Sequence, residues 1–315
     1  MSAPYPIDAI LETERHGFDE LAESVLAYQR QENPVYRRFS QVARHLPVEA
    51  FKRTAVTTFP AEEAEAVFQS SGTGSGTPSR HYVRYRDDYR AVVTAGYTRI
   101  FGDGPRRIIA HLPAYAETSS LVAMASDLME RFGADGSGFF LDDPGLLDRA
   151  VHTPGAPIWL IGAAFGLLDL VDERPRALPE GSVVVETGGM KTHRRSIPRT
   201  ELHARLQVGF SVPVTSLWSE YGMCELMSQA WGRSGEAFES PPWMKVSIVN
   251  PEDPVREVPA GQTGAIAVVD LANQHSASAI LTQDRGRMAP GDRFEVLGRL
   301  TGAELRGCNH LMEQV

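Results

Sequence analysis

Between residues 107 and 218 the sequence alternates short β-rich runs with helical patterns, and this alternation restricts the chain to an α/β fold with a largely parallel sheet. Arg107-Ile-Ile-Ala-His-Leu112 reads as a strand stopped by Pro113. Thr118 or Ser119 then caps a helix carrying Leu121, Val122, Ala125, Leu128, Met129 and Phe132, which Gly133 closes. Pro157-Ile-Trp-Leu-Ile-Gly162 reads as a strand leading into an apolar helix, and Ser182-Val-Val-Val-Glu-Thr187 as another strand. Glu201 to Gln207 suits a short helix, and Val214 to Trp218 a further strand. Before this region Phe18, Leu21, Val25 and Leu26 follow helical spacing up to Asn33-Pro34. After Pro241 the strand candidates are Lys245–Val249, Ala265–Leu271, Ala279–Thr282 and Arg293–Leu297. The expected organisation is a core domain over residues 1–297, with a helical part at 1–60 and a β-rich subdomain at 241–297. A short tail, 298–315, follows.

Bulk composition narrows the function. A net charge of -9 argues against a generic nucleic-acid binder, which would present a basic face. No apolar run reaches the ~18–20 residues needed to span a bilayer. The longest candidate, Ala156 to Val171, is interrupted by Gly162, Gly166 and Asp169. Early acids, Asp8 and Glu12, replace the basic start of an export signal, so a cytoplasmic location is expected. Two cysteines, Cys224 and Cys308, cannot build a disulfide framework or a four-thiolate zinc site. Lys52, Lys191 and Lys245 are the only lysines, which leaves few candidates for lysine chemistry.

The most informative stretch is Phe68-Gln-Ser-Ser-Gly-Thr-Gly-Ser-Gly-Thr-Pro-Ser79. Glycines 72, 74 and 76 let the backbone turn tightly and approach a ligand. Ser70, Ser71, Thr73 and Ser75 add hydroxyls, so amides and hydroxyls together can surround a phosphate without a lysine. The same composition also suits a flexible linker. The loop lacks the Gly-Lys-Ser/Thr ending of a P-loop, the glycine spacing of a dinucleotide fingerprint and the Gly-x-Ser-x-Gly elbow of a serine hydrolase.

Read with three later segments, the loop resembles the phosphate-binding motif Ser-Ser-Gly-Thr-Thr-Gly-x-Pro of the adenylate-forming superfamily, with a Gly/Ser rearrangement at its centre. Glu186-Thr-Gly-Gly-Met-Lys191 follows a strand, where these enzymes place an adenine-contacting turn at the equivalents of Gly188 and Gly189. Ser219-Glu-Tyr-Gly-Met-Cys-Glu225 resembles the Tyr-Gly-x-Thr-Glu signature, with Cys224 in place of threonine. The resemblance implies Tyr221 and Gly222 beside adenine and residue 224 at a phosphate. It makes Glu225 a ligand of Mg²⁺, for which a carboxylate oxygen is the suitable donor. Leu281-Thr-Gln-Asp284 resembles the Thr-x-Asp motif that binds the ribose hydroxyls, and Asp292 competes for that role. The implied fold is the large N-terminal domain of an adenylate-forming enzyme with a β-rich C-terminal subdomain, and the implied cofactors are ATP and Mg²⁺.

The segment from Val296 to Asn309 begins like the superfamily's Gly-Arg hinge, at Gly298-Arg299. A typical member continues into a mobile domain carrying a catalytic lysine. Here that domain is expected to be absent or vestigial, with Lys191, Arg299 or Arg285 as substitutes for the lysine. The ending Arg306-Gly-Cys-Asn309 resembles the acyl-protein synthetase family of bacterial bioluminescence fatty-acid reductase complexes. That resemblance implies acyl transfer from the adenylate to Cys308 and onward to a reductase or other acyl-acceptor protein. The chemistry is sound: an acyl-phosphate anhydride is a strong electrophile, and a thiolate flanked by Arg306 and His310 attacks it well. The superfamily's acid pocket maps to His111, Pro113, Tyr115, Ile161, Gly162, Ala163, Phe165 and Met223, with small residues at 162 and 163 leaving room for the acid. Two alternatives stand beside this reading: a ligase delivering the acyl group to CoA, a carrier protein or an amine, and a non-catalytic nucleotide-binding partner.

Overall fold

The computed structural model describes residues 3–70, 77–113, 116, 118–188 and 197–300. In chain order, the first elements are α1 (Ile7–Leu11), α2 (Phe18–Glu32), α3 (Pro34–Phe39), β1 (Leu46–Pro47), α4 (Ala50–Arg53), β2 (Ala66–Gln69), β3 (Arg80–Val83) and α5 (Arg86–Phe101). The alternating region follows as β4 (Arg107–His111), α6 (Ser120–Phe132), β5 (Gly138–Phe139), α7 (Leu146–His152), β6 (Ile158–Ala163), α8 (Ala164–Glu173), β7 (Val183–Thr187), α9 (Arg199–Phe210), β8 (Leu217–Tyr221) and β9 (Ala230–Arg233). The chain closes with β10 (Met244–Val249), β11 (Thr263–Asp270), β12 (Ala279–Ala289) and β13 (Arg293–Arg299). None of the described helices is long and apolar enough to cross a membrane.

Local signals explain most boundaries. The Asn33 side-chain oxygen accepts from the amides of Val35 and Tyr36, both at 3.0 Å, so one residue ends α2 and caps α3, with Pro34 at the first helical position. Ser119 caps α6 by accepting from Val122 N, as expected, and Gly133 follows its last turn. The expected strand at Val214 to Trp218 begins later: residues 214–216 form a 3-10 turn closed by Ser216 N donating to Pro213 O, and the strand starts at Leu217. β12 runs on to Ala289, well past the expected Thr282, because its outer half pairs with β13.

The described residues divide into two compact units. One lies within Met1–Gly96, Met223–Gln229 and Glu239–Val315; the other comprises Tyr97–Gly222 and Ala230–Phe238. The first unit holds a five-stranded sheet in the order β1-β12-β11-β10, with β13 also pairing β12, and the two-stranded ribbon of β2 and β3. The second unit holds a six-stranded sheet in the order β5-β4-β6-β7-β8-β9, parallel except for β9. Its central strands carry near-continuous apolar runs because helices cover both faces: Ile158, Trp159, Leu160 and Ile161 have no exposed surface. One face packs Leu160, Val184 and Leu217 against Leu167, Leu206 and Phe210 of the helices. On the other, Trp159 and Trp231 meet Phe101 edge to face.

Burial of this kind has a measurable consequence. Leu160→Ala is expected to destabilise the protein by about 2–5 kcal/mol, whereas Val208→Ala, at a residue 77% exposed, changes stability by less than about 0.5 kcal/mol. Urea unfolding of the two variants checks the contrast.

Candidate active site

Ser70, the first residue of the phosphate-loop motif, follows directly on a hairpin strand. β2 and β3 pair antiparallel with Gln69 opposite Arg80, and the pairing extends one step further. Ser70 N donates to Ser79 O at 3.1 Å, and Ser79 N donates to the Ser70 hydroxyl at 3.0 Å. Ser70 therefore closes the mouth of the loop rather than lying within it. Ser71, Gly72, Thr73, Gly74, Ser75 and Gly76 lie outside the described residues, as do Tyr115, Gly189, Lys191 and Cys308.

His81, two residues beyond this closure on β3, is buried and turned toward Cys224 and Asn273. Its Nδ1 lies 2.7 Å from Cys224 O and its Nε2 3.0 Å from Asn273 Oδ1. Burial pulls the imidazole pKa down, while these hydrogen bonds and the nearby Glu225 oppose it. Asn273 Nδ2 donates to Glu225 O at 2.9 Å and Ala277 O at 3.0 Å. Further along the same segment, Asp270 accepts from Met227 N at 3.0 Å, Ser228 N at 2.9 Å and the Ser228 hydroxyl at 2.8 Å. Burial pushes the Asp270 carboxyl up to about 6 against the lowering effect of these donors. Cys224 and Glu225 are both buried. Glu49 lies near enough to feel Glu225: its carboxyl pKa is raised chiefly by burial and further by that charge, with Lys52 and Arg53 opposing. Among the described residues no three His, Cys, Asp or Glu side chains converge as a metal cage. A single carboxylate fits Mg²⁺, which is commonly held by one or two carboxylates together with substrate phosphates.

In the second unit, strand register brings several candidate residues to one edge. His111 pairs with Gly162, Ala163 with Thr187, and Thr187 with Glu220, so the carboxyl ends of β4, β6, β7 and β8 are level. His111, Gly162, Ala163, Gly188 and Tyr221 all lie on or just beyond that edge. From β4 the chain crosses to β5 on one side, whereas β6 lies on the other. The carboxyl ends of β4 and β6 thus form a topological switch point, the place where open α/β sheets bind ligands. Gly188 has φ +74, a conformation that glycine adopts without strain. Gly162 and Gly166 make room for His111: a Cβ at 162 would lie 2.9 Å from His111 Cβ, and one at 166 would lie 2.5 Å from His111 Nδ1. The space that the small residue at 162 leaves is therefore occupied by the His111 side chain and by Leu167. Phe165 packs partly against the helical core, and Tyr221 is buried with its ring 5.9 Å from that of Phe238.

Two acids on neighbouring strands of this edge escaped the sequence reading. Glu186 accepts from the Ser219 hydroxyl and lies 3.8 Å from Arg199 Nε and 3.7 Å from His203 Nε2. On the opposite sheet face Glu220 accepts from the Thr187 hydroxyl. Glu220 keeps partial surface exposure as a residue, but its carboxyl is buried. Burial pushes it up to about 7, with the Thr187 hydrogen bond lowering and Glu186 raising it. An acid next to a tyrosine in strand-forming sequence carries no pattern that marks it as buried.

Asp284 is on β12, opposite Arg299 on β13, and Arg299 Nε lies 3.0 Å from its Oδ1. Asp292 has φ +55 in the turn between these strands. Met223 belongs to the first unit and Gly222 to the second, so the signature around Tyr221 spans the division between them.

No protein-family model matches the sequence, and no curated protein matches it. Solved structures do share its fold. ATP-bound MatB from Rhodopseudomonas palustris is similar with a TM-score of 0.56 and 18% identity, over 77% of this chain and 49% of MatB. 2-Hydroxyisobutyryl-CoA ligase, solved in the postadenylation state in complex with R3-HIB-AMP, gives 0.61 and 15% over 91% of this chain and 69% of the ligase. The amide bond synthetase McbA from Marinactinospora thermotolerans gives 0.52 and 17% over 76% and 50%. The chain spans about half the length of MatB and McbA. Its fold is that of the adenylate-forming enzymes: an α/β domain with a strand-rich C-terminal region.

The Glu220 environment predicts a pH dependence. Its folded value of about 7 exceeds the ordinary 4.5, so the folded state binds more protons between these values. Its favourable contribution is complete below about 4.5 and is lost as pH rises through 7. Glu220→Gln removes this loss, so unfolding measured at pH 5 and pH 8 should show the variant gaining stability relative to the unmodified protein at the higher pH. An equal pH dependence would contradict the assignment.

Proposed function

We propose that the protein activates a carboxylic acid with ATP and then transfers the acyl group to a thiol. In the first step a carboxylate oxygen attacks the α-phosphorus, forming the acyl-adenylate as pyrophosphate leaves. In the second, a thiolate attacks the acyl carbon and AMP leaves. The observation that carries this reading is the carboxyl edge of the second unit's parallel sheet. The strand ends at His111, Ala163, Gly188 and Tyr221 lie level along it, in a fold shared over 91% of the chain with a ligase solved in its postadenylation state.

Each role follows from chemistry. The loop from Ser70 to Gly76 offers amides and hydroxyls to the phosphates. Glu225 would hold Mg²⁺, which neutralises phosphate charge when bound. Gly188, Gly189, Tyr221 and Gly222 would border adenine, with Cys224 toward a phosphate and Asp284 at the ribose. The Asp284–Arg299 ion pair at 3.0 Å implies that ribose competes with a guanidinium for this carboxylate. Lys191 or Arg299 would stabilise charge developing during adenylation. His111, Tyr115, Phe165 and Met223 would border the acid, with Gly162 and Ala163 at the strand end. Cys308 is the proposed acyl acceptor, serving a downstream reductase or acceptor protein. A second reading, transfer to CoA or an amine, is supported by the likeness to 2-hydroxyisobutyryl-CoA ligase and to an amide bond synthetase.

Incubation with ATP, Mg²⁺ and a panel of radiolabelled acids separates these readings. The expected result is label on the protein that hydroxylamine removes and that is missing in Cys308→Ser. AMP release without protein label moves the acceptor to CoA or an amine. The absence of both across the panel overturns acid activation itself.

A further inference from the structure

We propose that His81 and Asn273 are positioning residues that set the direction of the Glu225 carboxylate toward a cation bound with the nucleotide phosphates. The proposal rests on the reading of Glu225 as the magnesium-binding carboxylate.

The segment from Cys224 to Ser228 belongs to no helix or strand, so no ladder of hydrogen bonds satisfies its backbone. Side chains from elsewhere in the same unit take that place. The two peptide planes flanking Glu225 Cα are those carrying the Cys224 and Glu225 carbonyls. The first is held by His81 Nδ1 at 2.7 Å and the second by Asn273 Nδ2 at 2.9 Å. Fixing both planes fixes φ and ψ of Glu225, and with them the Cα–Cβ direction from which its side chain departs. Asp270 then anchors the next amides, Met227 N and Ser228 N.

The Asn273 amide has one satisfactory orientation. Its Nδ2 donates to two carbonyls, Glu225 O and Ala277 O, so its Oδ1 is left facing His81 Nε2 at 3.0 Å. A flipped amide would set oxygen against both carbonyls. The His81 ring, donating from Nδ1, holds Cys224 O, while the Asn273 amide independently holds Glu225 O. His81 also belongs to the strand leaving the phosphate loop, two residues past the Ser70–Ser79 closure. One imidazole thus joins the base of the proposed phosphate loop to the backbone of the proposed metal carboxylate. Outer partners of this kind typically alter metal affinity 10–100-fold when removed.

The test is calorimetric titration of ATP into the full chain, in Mg²⁺ and in EDTA. The variants are His81→Phe, which keeps a ring for the edge contact with Phe51 at 5.9 Å, Asn273→Asp, and Glu225→Gln as reference. The expected result is a loss of about tenfold or more in the Mg²⁺-dependent gain in ATP affinity in all three, with affinity in EDTA within about twofold of the unmodified protein. If Glu225→Gln loses the gain while a folded His81→Phe and a folded Asn273→Asp both keep it, the positioning role is overturned. If neither of these two variants folds, the ring and amide are structural groups and the proposal is equally overturned. If the unmodified protein shows no Mg²⁺ gain, or Glu225→Gln retains it, the underlying reading of Glu225 fails instead.

Discussion

Burial of the turn between β11 and β12 is the constraint on which the first unit depends. The turn carries Leu271 to Ser278, nearly all buried, and its backbone groups must find partners inside the protein. Gln29 on α2 supplies three: its Nε2 donates to Asn273 O at 2.9 Å and Gln274 O at 3.0 Å, and its Oε1 accepts from Ser278 N at 3.0 Å. Asn33 Nδ2 donates to Ser276 O at 3.0 Å, and Thr58 N donates to His275 O at 3.0 Å. Ser276 returns a bond to Val56 O at 2.7 Å. Each lost donor would leave a buried carbonyl unsatisfied, at a cost of roughly 1–3 kcal/mol. The N-terminal helices thus hold the turn from which Asn273 reaches His81 and Glu225.

The second unit is organised by a different rule. Parallel strands buried on both faces end together at one edge, and the chain changes direction at β4, the arrangement at which open α/β sheets bind ligands. Glycines at 162 and 166 are needed because the His111 side chain lies against them. The two units therefore carry different parts of the proposed chemistry. The phosphate hairpin, Glu225 and Asp284 belong to the first, and the strand ends at His111, Ala163, Gly188 and Tyr221 to the second.

Much of this was legible in the sequence because its cause is local. The helix cap at Ser119, the strand from Ile158 and the strands after Pro241 follow from side-chain spacing and turn residues. Val214 misled because β-branched residues suit strands, yet Pro213 and the turn to Ser216 hold them in a 3-10 turn. The outer half of β12, from Gln283 onward, was missed because its polar residues need no core and depend on pairing with β13. The buried polar residues His81, Asn273 and Asp270 left no pattern at all. Each is satisfied by groups distant in sequence, 143 residues apart for His81 and Cys224, and only the fold brings them together.

Pyrophosphate exchange reports adenylation itself, since labelled pyrophosphate enters ATP only if the enzyme forms an adenylate reversibly. Exchange is expected to require both Mg²⁺ and a suitable carboxylic acid, and to proceed without any acyl acceptor. ATP binding with no acid-dependent exchange across chemically diverse acids, from short aliphatic to long-chain and aromatic, would contradict it.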